Sequence, residues 1–223
     1  SYVKMRGSDF NVGLNIGAFY QATKKLSVGI DYRSKINMQV NGGSAIFYIP
    51  ESLESIVSPV NKFNADLPLP ANLDFGLTYQ FTDKFQAALE INYVFWNVYK
   101  ELSFTFDENG DLLDNTNPRN YNNVLIPRFG MEYRLNHMFA LRTGGYYDPT
   151  PTNEKYFTPE TVSLDTWAYT FGISIQAGEN FGIDLSYLGT YGKESFKTYE
   201  PSGFEGRYKT AASIFGFGIN YNF

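Results

Sequence analysis

Very few residues of this chain are of types that do chemistry, and those few are poorly placed to do it. The 223 residues contain one histidine, His137, and no cysteine. A nucleophile–base pair or a histidine-containing metal site needs its imidazole beside partners in a pocket. His137 instead falls in a predicted short turn, Asn136-His137-Met138. Asp107-Glu-Asn-Gly-Asp111 has the acids of a calcium loop without the ligand spacing or the closing Glu of an EF-hand, so it reads as a plain acidic loop. No cofactor, metal or catalysis is expected. Charged side chains within apolar-patterned segments are the more informative set. Arg33, Lys35, Arg128 and Arg142 share a face with Asp31, Glu90 and Glu132. They could pair with those acids, or meet the carboxylate of a ligand.

The elements that must position these groups are strands. Leu73–Trp96 shows the pattern best. Leu73, Phe75, Leu77, Tyr79 and Phe81 alternate with Asp74, Gly76, Thr78 and Gln80. After the turn Thr82-Asp83-Lys84, Phe85, Ala87, Leu89, Ile91 and Tyr93 alternate with Gln86, Ala88, Glu90 and Asn92. Alternating side chains lie on opposite faces of a strand. Each arm therefore has one aromatic-rich apolar face and one polar face. The same alternation predicts strands over 10–20, 26–38, 123–135, 139–148, 167–177, 181–194 and 208–223, nine in all.

Between these strands the connections differ by side. The pieces Gln21-Ala-Thr-Lys-Lys-Leu26, Gln80-Phe-Thr-Asp-Lys-Phe85, Arg134-Leu-Asn-His-Met-Phe139 and Gln176-Ala-Gly-Glu-Asn-Phe181 form a repeat of short turns. Every other connection is long. Gly42–Asn72 is expected to hold a short amphipathic helix within Glu51–Phe63, interrupted near Pro59. Pro68 and Pro70 argue against a central strand. Beyond Trp96 the apolar parity slips, which predicts a bulge near Phe95–Asn97. Asp107–Asn120 and Pro149–Leu164 read as polar loops.

Composition narrows the class. Aromatic residues make up 18% of the chain, more than a globular core requires, and they include 18 Tyr and 20 Phe. Mean hydropathy is −0.30, and no run approaches the roughly 20 apolar residues of a spanning helix. A transmembrane β-barrel lacks both signals because every second residue faces the lumen. Short turns at one end and long loops at the other are the barrel pattern. A net charge of −5 and a pI near 5.0 argue against a nucleic-acid partner. The reading is an all-β chain, a single domain over residues 1–223, forming a transmembrane antiparallel up-and-down β-barrel. Nine is odd, and an open sheet cannot stand in lipid. The expectation is therefore the C-terminal part of a larger barrel; the alternatives are a further strand not visible in the pattern, or a sheet closed by another chain.

Several runs resemble one family. They are Ala65-Asp-Leu-Pro-Leu-Pro-Ala-Asn-Leu-Asp-Phe-Gly-Leu-Thr-Tyr79, Tyr32-Arg-Ser-Lys35, Pro118-Arg-Asn-Tyr121, Arg142-Thr-Gly-Gly-Tyr-Tyr-Asp-Pro-Thr-Pro151 and Leu185-Ser-Tyr-Leu-Gly-Thr-Tyr-Gly192. The aromatic ending Gly216-Phe-Gly-Ile-Asn-Tyr-Asn-Phe223 resembles the terminal strand of outer-membrane proteins. Together they resemble the FadL/TodX (OMPP1) outer-membrane transporters of hydrophobic compounds, in a form typical of Bacteroidota. That resemblance implies a 14-stranded barrel of which these would be the last nine strands, the C-terminal portion. The N-terminal hatch and first strands have no counterpart here.

It further implies a multi-pass protein of a Gram-negative outer membrane, C-terminus periplasmic, in contact with outer-membrane lipid. Its ligand would be a hydrophobic small molecule such as a long-chain fatty acid. The Gly42–Asn72 connection would offer a landing groove, with Phe47, Ile49, Leu53, Ile56, Val57, Phe63, Leu67 and Leu69 as its apolar contacts. Trp96, Arg33, Lys35, Arg128 and Arg142 would be further ligand contacts. The competing uses are rim packing for the apolar set, lumen pairing for the cations and membrane-interface anchoring for Trp96. An alternative function is an interaction protein, either a component of protein-secretion machinery or a barrel bound to an assembly machine.

Overall fold

Two antiparallel sheets share the chain, and they differ in what each face touches. A computed structural model describes residues 1–178 and 180–221, without the side chain of Asp111. The strands are β1 (Tyr2–Arg6), β2 (Asn15–Gln21), β3 (Leu26–Arg33), β4 (Ile36–Tyr48), β5 (Val60–Leu69), β6 (Asn72–Thr82) and β7 (Phe85–Val94). They continue as β8 (Glu101–Phe106), β9 (Asn115–Pro118), β10 (Val124–Arg134), β11 (Phe139–Asp148), β12 (Thr166–Ala177), β13 (Phe181–Tyr199) and β14 (Phe204–Tyr221). The larger sheet has nine strands in the order β14-β13-β12-β11-β10-β7-β6-β3-β2. These are the nine expected strands, paired as an up-and-down meander. The terminal Phe223 and the turn residue Glu179 lie outside the described residues.

Side-chain alternation makes the larger sheet two-faced. Register brings Leu141, Ile173, Leu185 and Phe217 into one row across four strands. Phe139, Ile175, Ile183 and Ile219 form the next row. This face is bare: Leu89 is 51% exposed, Phe171 56% and Phe217 68%. Water would not tolerate so large a continuous apolar surface on a stable fold, but hydrocarbon does. Spanning strands need about 9–11 residues, and β6, β7, β10 and β11 have 11, 10, 11 and 10. β13 and β14 are longer, at 19 and 18 residues, and their upper parts project well beyond an apolar band roughly 25 Å tall.

The sequence repeat has a local cause. In the first turn Thr23 Oγ1 accepts from Lys25 N at 3.1 Å and Leu26 N at 3.0 Å. Thr82 does the same for Lys84 N and Phe85 N at 3.3 and 3.1 Å. Asn136 Oδ1 does it for Met138 N and Phe139 N at 2.8 and 2.9 Å. Short polar side chains stabilise turns this way. The preceding glutamine completes the motif, since Gln21, Gln80 and Gln176 each donate to a turn carbonyl.

The long connections, together with β1 ahead of β2, hold the smaller sheet, ordered β1-β4-β5-β8-β9, and here several expectations are corrected. The chain does not run as one strand over 26–38; β3 ends at Arg33 and β4 begins in the other sheet. The expected helix within Glu51–Phe63 is only a 3-10 turn at Glu51–Leu53. The segment then becomes β5, whose alternating buried and exposed residues suit a sheet. Pro68 is accommodated because β5 pairs with β8 only as far as Asp66, leaving one side unpaired at the proline. The parity slip after Trp96 is not a bulge. The chain turns through a 3-10 segment, Trp96–Val98, and enters the second sheet as β8. The acidic loop contains a helical turn, Gly110–Leu113, and the short strand β9. The expected strand over 10–20 begins only at Asn15.

Residues ahead of β2 are tied by side chains. Asp9 accepts from Gln39 N at 2.6 Å and Phe10 N at 2.8 Å. The Gln39 backbone bond, with a smaller contribution from Asn11, holds its carboxyl below the ordinary value of 3.8.

Two outcomes are expected. Leu185→Arg places a charge in the middle of the bare face and should cost about 2–4 kcal/mol of folding stability in lipid vesicles, read by urea-dependent folding. The Asp9 tether is fully present above the unfolded carboxylate pKa and is lost as pH falls through the lower folded value. Proteolysis around residues 7–14 should therefore stay slow at pH 5 and accelerate only below pH 3.8. Asp9→Asn should remove that acid-dependent step.

Candidate functional site

Three chain crossings between the two sheets border a partly open cavity. β3 leaves the large sheet at Ser34, β5 returns to it at Pro70, and β7 leaves it at Phe95. Phe95 N donates to Ala71 O at 3.0 Å, and Asn97 N to Asn123 Oδ1 at 2.9 Å. The first bond holds the returning and leaving crossings side by side, and the second ties the latter to the segment ahead of β10. The cavity between them measures about 530 Å³. Asn72, Val94, Ile126 and Asp148 line it from the polar face of the large sheet; Arg33, Ile36, Leu69, Pro70 and Trp96 line it from the crossings. Pro151 and Ser163, from the 149–165 connection, complete the lining.

Its apolar part is packed firmly. Val94, Val124 and Ile126 form a buried cluster with Trp96 and Tyr146 against it. Trp96 also meets Tyr121 edge-on, with ring centroids 5.7 Å apart. Firm packing of this kind gives a pocket that is largely pre-formed, as small-molecule sites usually are.

Below the cavity the same face is charged. Arg128 Nη1 lies 3.4 Å from Glu90, and its guanidinium sits 5.6 Å over the Tyr146 ring. Nearer the short turns Glu132 accepts from Arg134 Nε at 2.9 Å and Arg142 Nε at 2.8 Å. Arg142 also reaches Asp184 and Ser174, and Asn220 Nδ2 donates to Asp184 at 3.1 Å. Between these groups run small residues; a Cβ on Gly144 would stand 2.6 Å from Phe129 O. The polar face is thus a thin, wettable wall carrying charges of both signs.

Of the residues singled out from sequence, Arg33, Leu69 and Trp96 line the cavity together. Arg33 makes no ion pair among the described residues, whereas Arg128 and Arg142 pair with the acids expected for them. Lys35 is exposed at the crossing between sheets. The apolar set of the Gly42–Asn72 connection divides. Phe63 is buried in the second sheet, near Phe104 and Phe106 at 6.4 and 6.5 Å, and Phe47 meets Phe106 at 5.5 Å. Ile49 and Val57 are half-buried, while Leu53, Ile56 and Leu67 are exposed. Sequence reasoning missed Val94, Ile126 and Asp148. A signal for the first two was present, since both are large apolar residues at positions whose parity assigns them to the polar face.

The 149–165 connection is fixed by buried contacts. Arg119 is only 3% exposed; it donates to Thr158 Oγ1 and lies 3.7 Å from Glu160. Phe157 is fully buried, 4.7 Å from the Tyr208 ring. Tyr199 donates its hydroxyl to Asn117 at 3.2 Å. Burial pushes the Tyr99 hydroxyl up, with the neighbouring Arg119 guanidinium acting in the opposite direction. Arg119→Ala should release this connection, because it removes both the packing and the bond to Thr158. Limited proteolysis should then cut within 149–165 faster than in the unmodified protein, while the large sheet still folds.

The chain matches, over residues 2–223, the family model described as outer membrane protein transport protein (OMPP1/FadL/TodX). It is 23% identical to the 47 kDa outer membrane protein of Pasteurella multocida over 99% of this chain and 52% of that protein. A Pseudomonas aeruginosa FadL homologue of known structure superposes with a TM-score of 0.79 at 19% identity, covering 94% of this chain and 52% of the other. The Pseudomonas putida toluene transporter TodX superposes with a TM-score of 0.61, also at 19% identity, over 96% and 50%. The chain thus spans about half the length of the relatives it matches. Its nine-stranded sheet is an arc of the barrel those structures share, and the chain belongs to the OMPP1/FadL/TodX family of outer-membrane proteins.

Proposed function

We propose that the full-length protein takes up hydrophobic molecules across the outer membrane. The observation that carries this reading is the cavity at the mouth of the sheet, where Val94, Ile126, Leu69 and Trp96 converge on a face that is otherwise polar. Apolar groups maintained on a wet wall suit an apolar ligand, since burying such surface contributes roughly 25 cal/mol per Å². Membership of a transport family and the superposed toluene transporter support the same class.

In this reading the long-connection end faces the outside and the short turns face the periplasm, with the C-terminus on the periplasmic side. The nine strands take the place of the last nine of fourteen, and further strands pair with the free edges of β2 and β14, whose peptide groups need partners in hydrocarbon. A ligand reaches the cavity past the exposed Leu53, Ile56 and Leu67 and enters the lumen, with no bond made or broken. Arg33, which has no ion pair among the described residues and lies at the cavity wall, suits a carboxylate head, so a long-chain fatty acid is a fitting ligand. The paired Arg128 and Arg142 then maintain the hydrated lumen wall.

The test uses the full-length protein with Trp167→Phe, leaving Trp96 as the only tryptophan of this region. Adding a long-chain fatty acid or an aromatic hydrocarbon should change the Trp96 emission with saturation. Trp96→Ala should weaken binding roughly tenfold or more, as for a buried aromatic contact. Arg33→Ala should weaken the acid and leave the hydrocarbon unchanged. Unsaturable emission for both ligands, together with unchanged uptake on gene deletion, would refute the proposal.

A further inference from the structure

The smaller sheet has one face packed and one face bare. On the packed face Asn61, Phe63, Ala45 and Gly43 are buried. Residues of opposite parity are exposed, except that Ile46 is half-buried. The register gives three rows on that bare face: Tyr2 beside Tyr48, Lys4 beside Ile46 and Val60, and Arg6 beside Ser44 and Lys62. Tyr2 and Tyr48 stack at 4.4 Å with rings 13° from parallel, and both remain exposed. Lys4, Arg6 and Lys62 form no ion pair among the described residues. Asp107, whose N bonds to Lys62 O at 3.1 Å, is an acid next to this row and makes no ion pair with the lysine.

At roughly 3.3 Å per residue along a strand and about 4.8 Å between strands, the backbone positions of the three cations lie within about 12 Å of one another. A protein of net charge −5 would not gather unpaired cations on one face of a small sheet for solubility. Two parallel exposed aromatic rings beside three cations make a surface for a ring-shaped polar molecule that carries negative charge. Arginine and lysine serve phosphate well, by charge and by hydrogen bonding, and stacked tyrosines offer an apolar body with polar tips to a sugar face.

The geometry points to this face as a docking surface for the phosphorylated inner-core saccharide of lipopolysaccharide. The assignment rests on the reading above that places the long connections outside, because four strands of this sheet come from them and β1 pairs with one of the four, β4. There it lies beyond the ends of the spanning strands, on the side of the outer-leaflet saccharides in that reading. The contact holds the second sheet, and through β4 and β5 the crossings at Ser34 and Pro70, against the surrounding lipid headgroups. It is separate from the cavity, whose lining uses none of these residues.

The experiment uses the full-length protein in detergent and purified rough-type lipopolysaccharide, intact or chemically dephosphorylated. Surface-immobilised protein should retain the intact glycolipid. Retention should fall roughly tenfold or more in the triple variant Lys4→Glu, Arg6→Glu, Lys62→Glu, as the loss of three cations near an anionic surface implies. Dephosphorylated material should bind as weakly to the unmodified protein as intact material binds to the triple variant. Tyr2→Ser with Tyr48→Ser should weaken both forms by a similar factor. Equal retention of intact and dephosphorylated glycolipid by the unmodified protein overturns the proposal, and this arm needs no variant to fold. Wild-type retention by the triple variant overturns it too, as it would if a protein partner occupied the face instead. Fatty-acid and hydrocarbon binding measured on the same samples keeps the two readings apart, since the transport reading fails only if the unmodified protein binds neither.

Discussion

Hydrocarbon offers no hydrogen-bond partner to a peptide group, so a chain crossing a membrane must satisfy every N–H and C=O from within itself. The nine-stranded ladder meets this demand first, and the other features follow from it. Once the backbone is committed to a sheet, side chains can only alternate. One face becomes the rows of Leu, Ile, Phe and Tyr that meet lipid. The other is left to Gly, Thr and paired charges. No conventional core forms between the two; among the described residues the compact buried cluster of Val94, Val124 and Ile126 lies at the end of the sheet. Stability of the spanning part therefore comes from the ladder and from lipid contact, not from packing inward.

Ion pairs on the polar face illustrate how such a wall is kept wettable. Glu132 is shared by Arg134 and Arg142, and Arg142 also reaches Asp184. Side chains such as Arg128 and Arg142 are about half exposed, so each bond is worth little on its own, about 0–1 kcal/mol. Their use is geometric. They hold long side chains flat against the wall, so that the space beside the small Gly130–Gly144 pair stays open. The cavity at the mouth is the exception, where two apolar side chains interrupt this polar lining.

The connections are where the two ends diverge. At one end a threonine or asparagine oxygen, a glutamine amide, or both close the turns, which is why a short motif recurs along the chain. At the other end the connections are long enough to form a sheet of their own. Buried Arg119, Phe157 and the Phe63 cluster then fix these connections to one another. This end has the apolar cavity, Arg33, which forms no ion pair among the described residues, and the bare basic face. Chemical variety accumulates there because no constraint of membrane thickness limits it.

The nine spanning strands, their two faces and the placing of Arg128 and Arg142 on one face with Glu90 and Glu132 were legible in the sequence; which cation meets which acid was not. They depend on alternation and on nearest-neighbour strand order, which are properties of local sequence. The second sheet was not legible. β4 and β5 have irregular parity around Gly42, whose positive φ of 68° accompanies a register shift, and β8 and β9 are too short to stand out. Pro68 suggested an absence of strand because its tolerance depends on where β8 stops pairing. Phe63 read as a greasy contact and is in fact core, since only the partner strands decide which face of β5 is covered. Val94 and Ile126 lie at the cavity because three crossings meet above them, and contacts between segments so far apart in sequence arise only when the chain is folded.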